Sequence, residues 1–167
     1  MHTTLSHHGL LAFDPIAPRD VAFVLDNARA LQIAAQAGGA QALLRGRKFG
    51  LMCEADSATD ATLFRRAAVE MGAHVAHIRP SLTALSTALE VLRTARMLGR
   101  LYDAVECQGM STDLVQQLGA EAGVPVFDAV ASQRHPTAQL DSLLGGDSNA
   151  LDKRRFVLQA VLLSTVA

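Results

Sequence analysis

Short apolar segments alternate with longer stretches of helical spacing along most of the chain, and this alternation limits the possible folds more than any other feature. Four segments of four to six residues are predicted to be strands: Lys48–Cys53, Ala73–Ile78, Ala104–Cys107 and Val124–Asp128. Apolar residues that recur every three or four positions predict six helices: Asp20–Ala37, Ala58–Met71, Leu85–Leu101, Ser111–Ala122, His135–Leu144 and Leu151–Thr165. Because strands that alternate with helices pair in parallel through right-handed crossovers, we predict an α/β fold. It is a three-layer sandwich, in which helices cover both faces of a four-stranded parallel sheet.

The composition is typical of one globular domain. The chain has 167 residues, and half of them are hydrophobic, which is enough to fill a core. Its 15 basic and 16 acidic residues give a net charge of -1, so neither nucleic acid nor an anionic membrane is an expected partner. No apolar stretch reaches about 18 residues without a charge, and the first six residues lack the pattern of a signal peptide. We therefore expect a cytoplasmic protein.

The cysteines and histidines do not predict a metal site. Cys53 and Cys107 are too few and too far apart for a disulfide framework or a four-cysteine zinc site. Buried, unreactive thiols are the favoured interpretation, and a reactive or metal-binding pair is the alternative. His74 and His77 lie three apart on a predicted strand and so face opposite sides, which argues against a shared metal ion. The start of the chain holds three more histidines: His2, His7 and His8. We expect them to lie in a flexible terminus, and binding of stray metal is the alternative.

Residues that follow the predicted strands are the candidates for a site, because ligands of parallel α/β sheets bind at the carboxyl ends of the strands. The turn after the first strand, residues 54–60, has no glycine, which excludes a dinucleotide-binding fingerprint. The chain has no Gly-Lys-Ser/Thr P-loop and no G-x-S-x-G nucleophile elbow. Neither Lys48 nor Lys153, the only lysines, follows a strand, so a phospho-receiver domain is excluded as well.

Several short segments are weak signals alone but specific in their combined order and spacing. They are Leu44-Arg45-Gly46-Arg47-Lys48, Ser57 with Phe64, Met71-Gly72-Ala73, Arg93-Thr94-Ala95-Arg96-Met97-Leu98, Tyr102-Asp103-Ala104-Val105, Val124-Pro125-Val126 and His135-Pro136-Thr137. From about Asp20 to Leu144, the chain thus resembles the amino-terminal, carbamoyl-phosphate-binding domain of aspartate and ornithine carbamoyltransferases.

The resemblance implies a Rossmann-like fold, a homotrimer and a transferase without a cofactor. Carbamoyl phosphate would bind in this domain, and a second domain would hold the amino acid whose amine attacks the carbamoyl carbon. The family pattern places the phosphate on a helix N-terminus opened by an S-T-R-T-R motif. A further arginine follows the third strand, and an H-P-x-Q motif polarises the carbamoyl oxygen.

The motif arginines are replaced in this chain. Ser57 stands at the position of the motif's serine, and Ala58, Thr59, Asp60 and Ala61 follow it. Asp60 adds a negative charge beside the phosphate position that the resemblance implies.

The other motif positions are retained only in part. Gln108 stands where the family has an arginine after the third strand. His135 keeps its position, but Ala138 replaces the motif's glutamine, and Gln139 lies one residue later, about 100° around a helix. The predicted anion-binding residues are Ser57, Ala58, Thr59, Asp60, Gln108, His135 and Gln139, with a catalytic role for His135.

The lost arginines predict weak anion binding. A hydrogen bond to a charged group contributes roughly 1.5–3 kcal/mol, so two lost arginines cost about 3–6 kcal/mol, or roughly 10²- to 10⁴-fold in affinity. Arg65 is a poor replacement, because eight residues of helix separate it from Ser57 by about 12 Å. Arg134, beside His135, is a candidate substitute.

Three of these features also have structural interpretations. Ser57 is predicted to cap a helix, with Asp60 in its first turn, as an alternative to an anion site. His135 followed by Pro136 predicts a helix start as an alternative to a ligand. A stripe of arginines on one helix predicts either a solvated face or a subunit contact or anion patch: Arg93, Arg96 and Arg100.

The end of the chain resembles the family's final helix, which packs on the first domain. We therefore predict a carbamoyl-phosphate-binding-like domain over residues 1–144, a junction over 145–150, and a helix over 151–167 that packs back on the domain. Its apolar face would contribute a few kcal/mol at about 25 cal/mol per Å², through Phe156, Leu158, Val161, Leu162 and Val166.

The family's amine-binding domain has no counterpart in the sequence. Together with the replaced arginines, this predicts a degenerate domain, inactive alone, with a binding, regulatory or assembly role in amino-acid or pyrimidine metabolism. A full-length carbamoyltransferase is the candidate partner. The alternative is an active transferase that binds carbamoyl phosphate or another small anion at a Ser57/His135 pocket.

Overall fold

The computed structural model describes residues 17–39 and 42–166, so His2, His7 and His8 lie outside the described residues. Helices and strands alternate as the sequence predicts. In chain order they are α1 (Pro18–Gln36), β1 (Lys48–Met52), α2 (Thr59–Glu70), β2 (His74–Ile78), α3 (Ala88–Leu101), β3 (Ala104–Cys107), α4 (Thr112–Ala122), β4 (Val126–Asp128), a 3₁₀ helix (Pro136–Leu143) and α5 (Ala150–Val166).

The four strands form one sheet in the order β2-β1-β3-β4, and every neighbouring pair is parallel. The predicted α/β fold with a four-stranded parallel sheet is confirmed. β1 lies between β2 and β3, with Met52 opposite Cys107 at its carboxyl end. This order places the loop after β1 beside the loop after β3.

Helices cover both faces of the sheet, and successive strand residues divide between two apolar clusters because their side chains alternate. Leu51 packs in the cluster that also holds residues of α1, α2 and α5. Met52 packs in the other cluster, with residues of α3 and α4. The prediction of three layers is therefore confirmed.

The last helix, α5, packs against α1, α2 and the 3₁₀ helix. The apolar face expected from the sequence is buried except for Val166, which is partly buried. Burial also extends around the helix, since every residue from Arg154 to Leu162 is buried. Gln159 donates from Nε2 to the backbone oxygen of Ala67 at 3.1 Å, which ties α5 to α2. A helix surrounded in this way is part of the core.

Several predicted boundaries differ from the observed ones by one to three residues. α3 begins at Ala88 instead of Leu85, because Thr87 and Glu90 form a reciprocal capping box. β4 begins two residues later than predicted, at Val126. The segment predicted as a helix from His135 is a 3₁₀ helix that begins at Pro136.

Within the two described ranges, no helix is both long and apolar enough to cross a membrane.

Candidate functional site

An open pocket of about 430 Å³ lies at the carboxyl edge of the sheet, where the loops after β1 and β3 meet. The β1 loop and the first turn of α2 supply most of its lining, and the β3 loop supplies the rest. The described lining residues are Cys53, Glu54, Ala55, Ala58, Thr59, Asp60, Gln108 and Gly109. This is the strand edge at which ligands of such sheets bind.

Four predicted site residues are brought together here: Ala58, Thr59, Asp60 and Gln108. The other three are not among the described residues that line the pocket. Ser57 is exposed on the loop before α2, Gln139 is exposed on the 3₁₀ helix, and His135 is buried.

The charge of the pocket is negative. Glu54 and Asp60 line it, and none of its described lining residues is lysine or arginine. Gln108, at the position where the family pattern has an arginine, offers a neutral amide. A phosphate in this pocket would meet two carboxylates without a guanidinium among these residues to neutralise it.

The start of α2 does not have the cap that the sequence predicts. The N-cap is Ala58, whose side chain makes no cap hydrogen bond, so the prediction of Ser57 as the N-cap is wrong. Ala58, with φ -60° and ψ 151°, is the extended residue directly before the helix. The helix therefore begins at Thr59, one residue later than predicted. Asp60 does lie in the first turn, where a carboxylate interacts favourably with the helix dipole.

Arg65 is held by the β1 loop. Its Nη1 donates to the backbone oxygen of Asp56 at 3.3 Å, and its Nη2 lies 3.7 Å from Oδ2 of the same residue. Nδ1 of His77 lies 3.9 Å from that oxygen, and Nε2 of His77 lies 2.7 Å from the backbone oxygen of Cys53. The guanidinium of Arg65 is therefore bound to Asp56, and Arg65 is not among the described residues that line the pocket.

Arg134, the other candidate substitute, is exposed and is not among the described lining residues. Its backbone N–H donates to Oγ of Ser132 at 3.1 Å. Neither arginine thus brings a guanidinium to the pocket in this structure.

Glu106 lies on β3 and is fully buried. Its two carboxyl oxygens accept the backbone N–H groups of Val130 and Ala131, each at 3.1 Å, and Nε2 of Gln108 lies 3.4 Å from Oε2. Burial raises the pKa of Glu106 to about 8, although these hydrogen bonds oppose the shift. The carboxyl group ties the pocket residue Gln108 to the loop after β4.

His135 begins the 3₁₀ helix, so the predicted helix start is confirmed. It is the N-cap, Pro136 follows it, and its Nδ1 accepts the backbone N–H of Thr137 at 3.2 Å. Burial and the nearby Arg154 lower the pKa of His135 to about 4, so the ring is neutral at pH 7.

The guanidinium of Arg154, on α5, donates hydrogen bonds to the loop after β4. Its Nη2 donates to the backbone oxygens of Val130 and Ser132, and its Nη1 lies 3.4 Å from Oγ1 of Thr137. Nη1 also lies 3.7 Å from Oδ1 of Asp141. Burial raises the pKa of Asp141 to about 6 even though Arg154 favours the carboxylate.

Sequence reasoning did not find Glu106 or Arg154. A signal for Glu106 was present, because a carboxylate inside a short apolar strand needs internal partners. Arg154 had no such signal, since it belongs to a basic run, Lys153-Arg154-Arg155, of the kind that usually faces solvent.

Both cysteines are free and buried, as the favoured interpretation predicts. Cys53 packs in one apolar cluster and Cys107 in the other. Desolvation raises the pKa of both thiols, which lowers their reactivity. Among the residues that the structure describes, no group of three or more His, Cys, Asp or Glu side chains could hold a metal ion.

Comparison with known proteins gives consistent matches. Residues 8–144 match the family model for the carbamoyl-P binding domain of aspartate/ornithine carbamoyltransferase. The ornithine carbamoyltransferase of Actinobacillus pleuropneumoniae is 36% identical over 144 residues, which are 86% of this chain and 43% of that protein. The catabolic ornithine carbamoyltransferase of Chromobacterium violaceum is 35% identical over 145 residues, with the same coverage. The chain thus spans less than half the length of these relatives.

Solved structures share the fold. The ornithine carbamoyltransferase of Burkholderia thailandensis superposes with a TM-score of 0.67 at 20% identity, over 80% of this chain and 46% of that one. The catalytic subunit of aspartate transcarbamoylase from M. jannaschii gives a TM-score of 0.61 at 21% identity, over 77% and 42% of the two chains.

Proposed function

The chain belongs to the aspartate/ornithine carbamoyltransferase family, and from that premise we propose that its pocket has lost the ability to hold carbamoyl phosphate. The domain then has no transferase activity of its own. It serves a binding, regulatory or assembly role in amino-acid or pyrimidine metabolism.

The charge of the pocket carries this proposal. Carbamoyl phosphate is an anion, and the pocket presents the carboxylates of Glu54 and Asp60. Thr59 and Gln108 stand where the family pattern has arginines. Two lost charged hydrogen bonds cost about 3–6 kcal/mol, and each carboxylate near the phosphate adds repulsion.

Titration calorimetry with carbamoyl phosphate tests the proposal. We expect no detectable binding by the wild-type protein at carbamoyl phosphate concentrations up to about 1 mM, because the lost arginines lower the affinity roughly 10²- to 10⁴-fold. The double variant T59R/Q108R restores two guanidiniums at the pocket, and we expect it to bind at least about tenfold more tightly.

The matched control is Q36R/Q116R, which adds the same charge at two exposed positions on other helices that do not line the pocket. It should bind no better than the wild-type protein. Micromolar binding by the wild-type protein would overturn the proposal.

Family membership also supports a homotrimer and association with a full-length carbamoyltransferase. Sedimentation velocity of the chain alone tests the first, and a trimer is the expected species. Mixing it with the full-length ornithine carbamoyltransferase of Chromobacterium violaceum tests the second, with a faster-sedimenting complex as the expected result. If each protein in the mixture sediments at the same rate as it does alone, that partner is wrong.

One observation favours the alternative of an active, anion-binding transferase. The first turn of α2 has no side-chain cap, so its backbone N–H groups are available to an anion. This alternative requires micromolar binding of carbamoyl phosphate that is lost in H135A, with circular dichroism showing that the variant is folded. A neutral His135, buried away from the described pocket lining, argues against it.

A further inference from the structure

The solvent-facing side of α3 combines arginines with large apolar side chains. We call this surface the basic face of α3. Its six residues are all exposed: Leu89, Arg93, Arg96, Met97, Arg100 and Leu101. The opposite side of the helix, with Val91, Ala95 and Leu98, is buried against the sheet and α4.

The three arginines have no carboxylate partner among the described residues. Other exposed helices of this protein do pair their arginines: Nε of Arg66 lies 2.9 Å from Oε1 of Glu70, and Nη1 of Arg29 lies 3.4 Å from Oδ1 of Asp26. The one carboxylate on α3, that of Glu90, accepts the backbone N–H of Thr87 in the capping box. Asp103, three residues after Arg100, lies 3.7 Å from Nη1 of Arg47 instead.

Spacings of three and four residues place the three guanidiniums on one side of the helix, where like charges destabilise it. No salt bridge to a described residue offsets this repulsion, whereas a carboxylate supplied from outside would.

The apolar residues of the same face are unusually open. Leu89, Met97 and Leu101 are each at least 50% exposed. They lie eight and four residues apart, over about three turns of helix. Arg93 occupies the position between Leu89 and Met97, so its stem continues the apolar surface. A surface that is both basic and apolar is suited to a partner that is both acidic and apolar.

We propose that the basic face of α3 binds an acidic amphipathic helix of another protein. The fourteen residues of α3 offer about 21 Å of contact, enough for three to four turns of such a helix. This surface is separate from the pocket, so the inference does not depend on the proposed function.

Two other occupants fit the surface less well. Nucleic acid would leave the apolar residues without a use, the face has no aromatic side chain for base stacking, and the chain has a net charge of -1. A second copy that packed the same face against itself would bring the guanidinium groups of both copies together. The one carboxylate of α3 in each copy, that of Glu90, already accepts the backbone N–H of Thr87.

Fluorescence anisotropy with two labelled 18-residue peptides tests the proposal. One peptide carries leucines and glutamates at helical spacing, and the other has the same leucines with lysine in place of each glutamate. We expect only the acidic peptide to bind, and salt to weaken its binding.

Matched variants then assign the site. R96E should weaken binding of the acidic peptide about tenfold, since it removes an attraction and adds a repulsion. R45E makes the same charge change at an exposed position outside the face and should alter binding less than about twofold. L89S should also weaken binding, which a purely electrostatic patch would not show.

Several outcomes would overturn the proposal. They are no binding of the acidic peptide up to 1 mM, equal binding of both peptides, or equal effects of R96E and R45E. Tighter binding of a 20-base-pair DNA duplex would assign the face to nucleic acid. A change in the sedimentation of the protein alone on R96E substitution would make the face an interface between copies.

Discussion

Glu106 is a carboxyl group that the fold encloses completely, and the stability of the protein should depend on pH because of it. Its pKa rises from 4.5 in an unfolded chain to about 8 in the fold. Between these values the native state binds more protons than the unfolded state, so this group lowers stability as pH rises from about 4.5 to 8.

The variant E106Q removes this titration. The amide can accept only one of the two backbone N–H groups that Glu106 accepts, so we expect E106Q to be less stable than the wild type at pH 5, by about 1–3 kcal/mol. The difference should shrink or reverse by pH 8. Urea denaturation at several pH values measures it, with E121Q as a control that removes an exposed carboxylate in the same way. Parallel stability curves for E106Q and wild type would contradict the assignment.

Individual residue roles were predictable only where local sequence decides them. His135 before Pro136 predicts a helix start, and the structure confirms it. Ser57 has an equally good local signal for capping, but the chain path puts Ala58 in that position. Arg154 lies in a basic run, and only the packing of α5 beneath the β4 loop buries it.

The packing of α3 on α4 depends on a glycine. A Cβ added at Gly99 would lie 1.9 Å from the backbone oxygen of Ala122, so the two helices could not remain as close. Gly119, inside α4, has space for a methyl group, since its nearest neighbour would be 3.7 Å away. The same substitution should therefore have opposite effects at the two positions.

We expect G99A to lower the free energy of unfolding by about 2 kcal/mol or more, because backbone must move. G119A should raise it by up to about 1 kcal/mol, because alanine has the higher helix propensity. Chemical denaturation of both variants measures the effects. Equal changes of the same sign would show that the approach at Gly99 is looser than the structure indicates.

Most helices and strands were predictable from the pattern of apolar residues. These residues recur every three or four positions in the helices and form short runs in the strands. The misplaced ends depend on information that periodicity lacks. Leu85 continues the apolar pattern of α3, but the capping box at Thr87 decides where the helix starts. The sequence around Pro136 does not distinguish a 3₁₀ helix from an α-helix.

The arrangement of the whole molecule followed from two independent signals, the alternation of elements and the ordered family segments. The family segments also predict that the pocket lacks the motif arginines and gains the charge of Asp60. The full set of side chains that line it depends on how the β1 and β3 loops meet. Ala58, Thr59, Asp60 and Gln108 do meet there, whereas Ser57, His135 and Gln139 lie outside the described lining. Glu54, not among the predicted residues, adds a second carboxylate.

A crystal structure of the protein soaked with carbamoyl phosphate is the most direct test of a pocket without positive charge. We expect no phosphate density beside Thr59 and Gln108 in the wild-type protein, and density there in crystals of T59R/Q108R. Carbamoyl phosphate bound to the wild-type pocket, with Arg65 released from Asp56 or Arg134 turned inward to hold it, would show that the pocket still binds the anion.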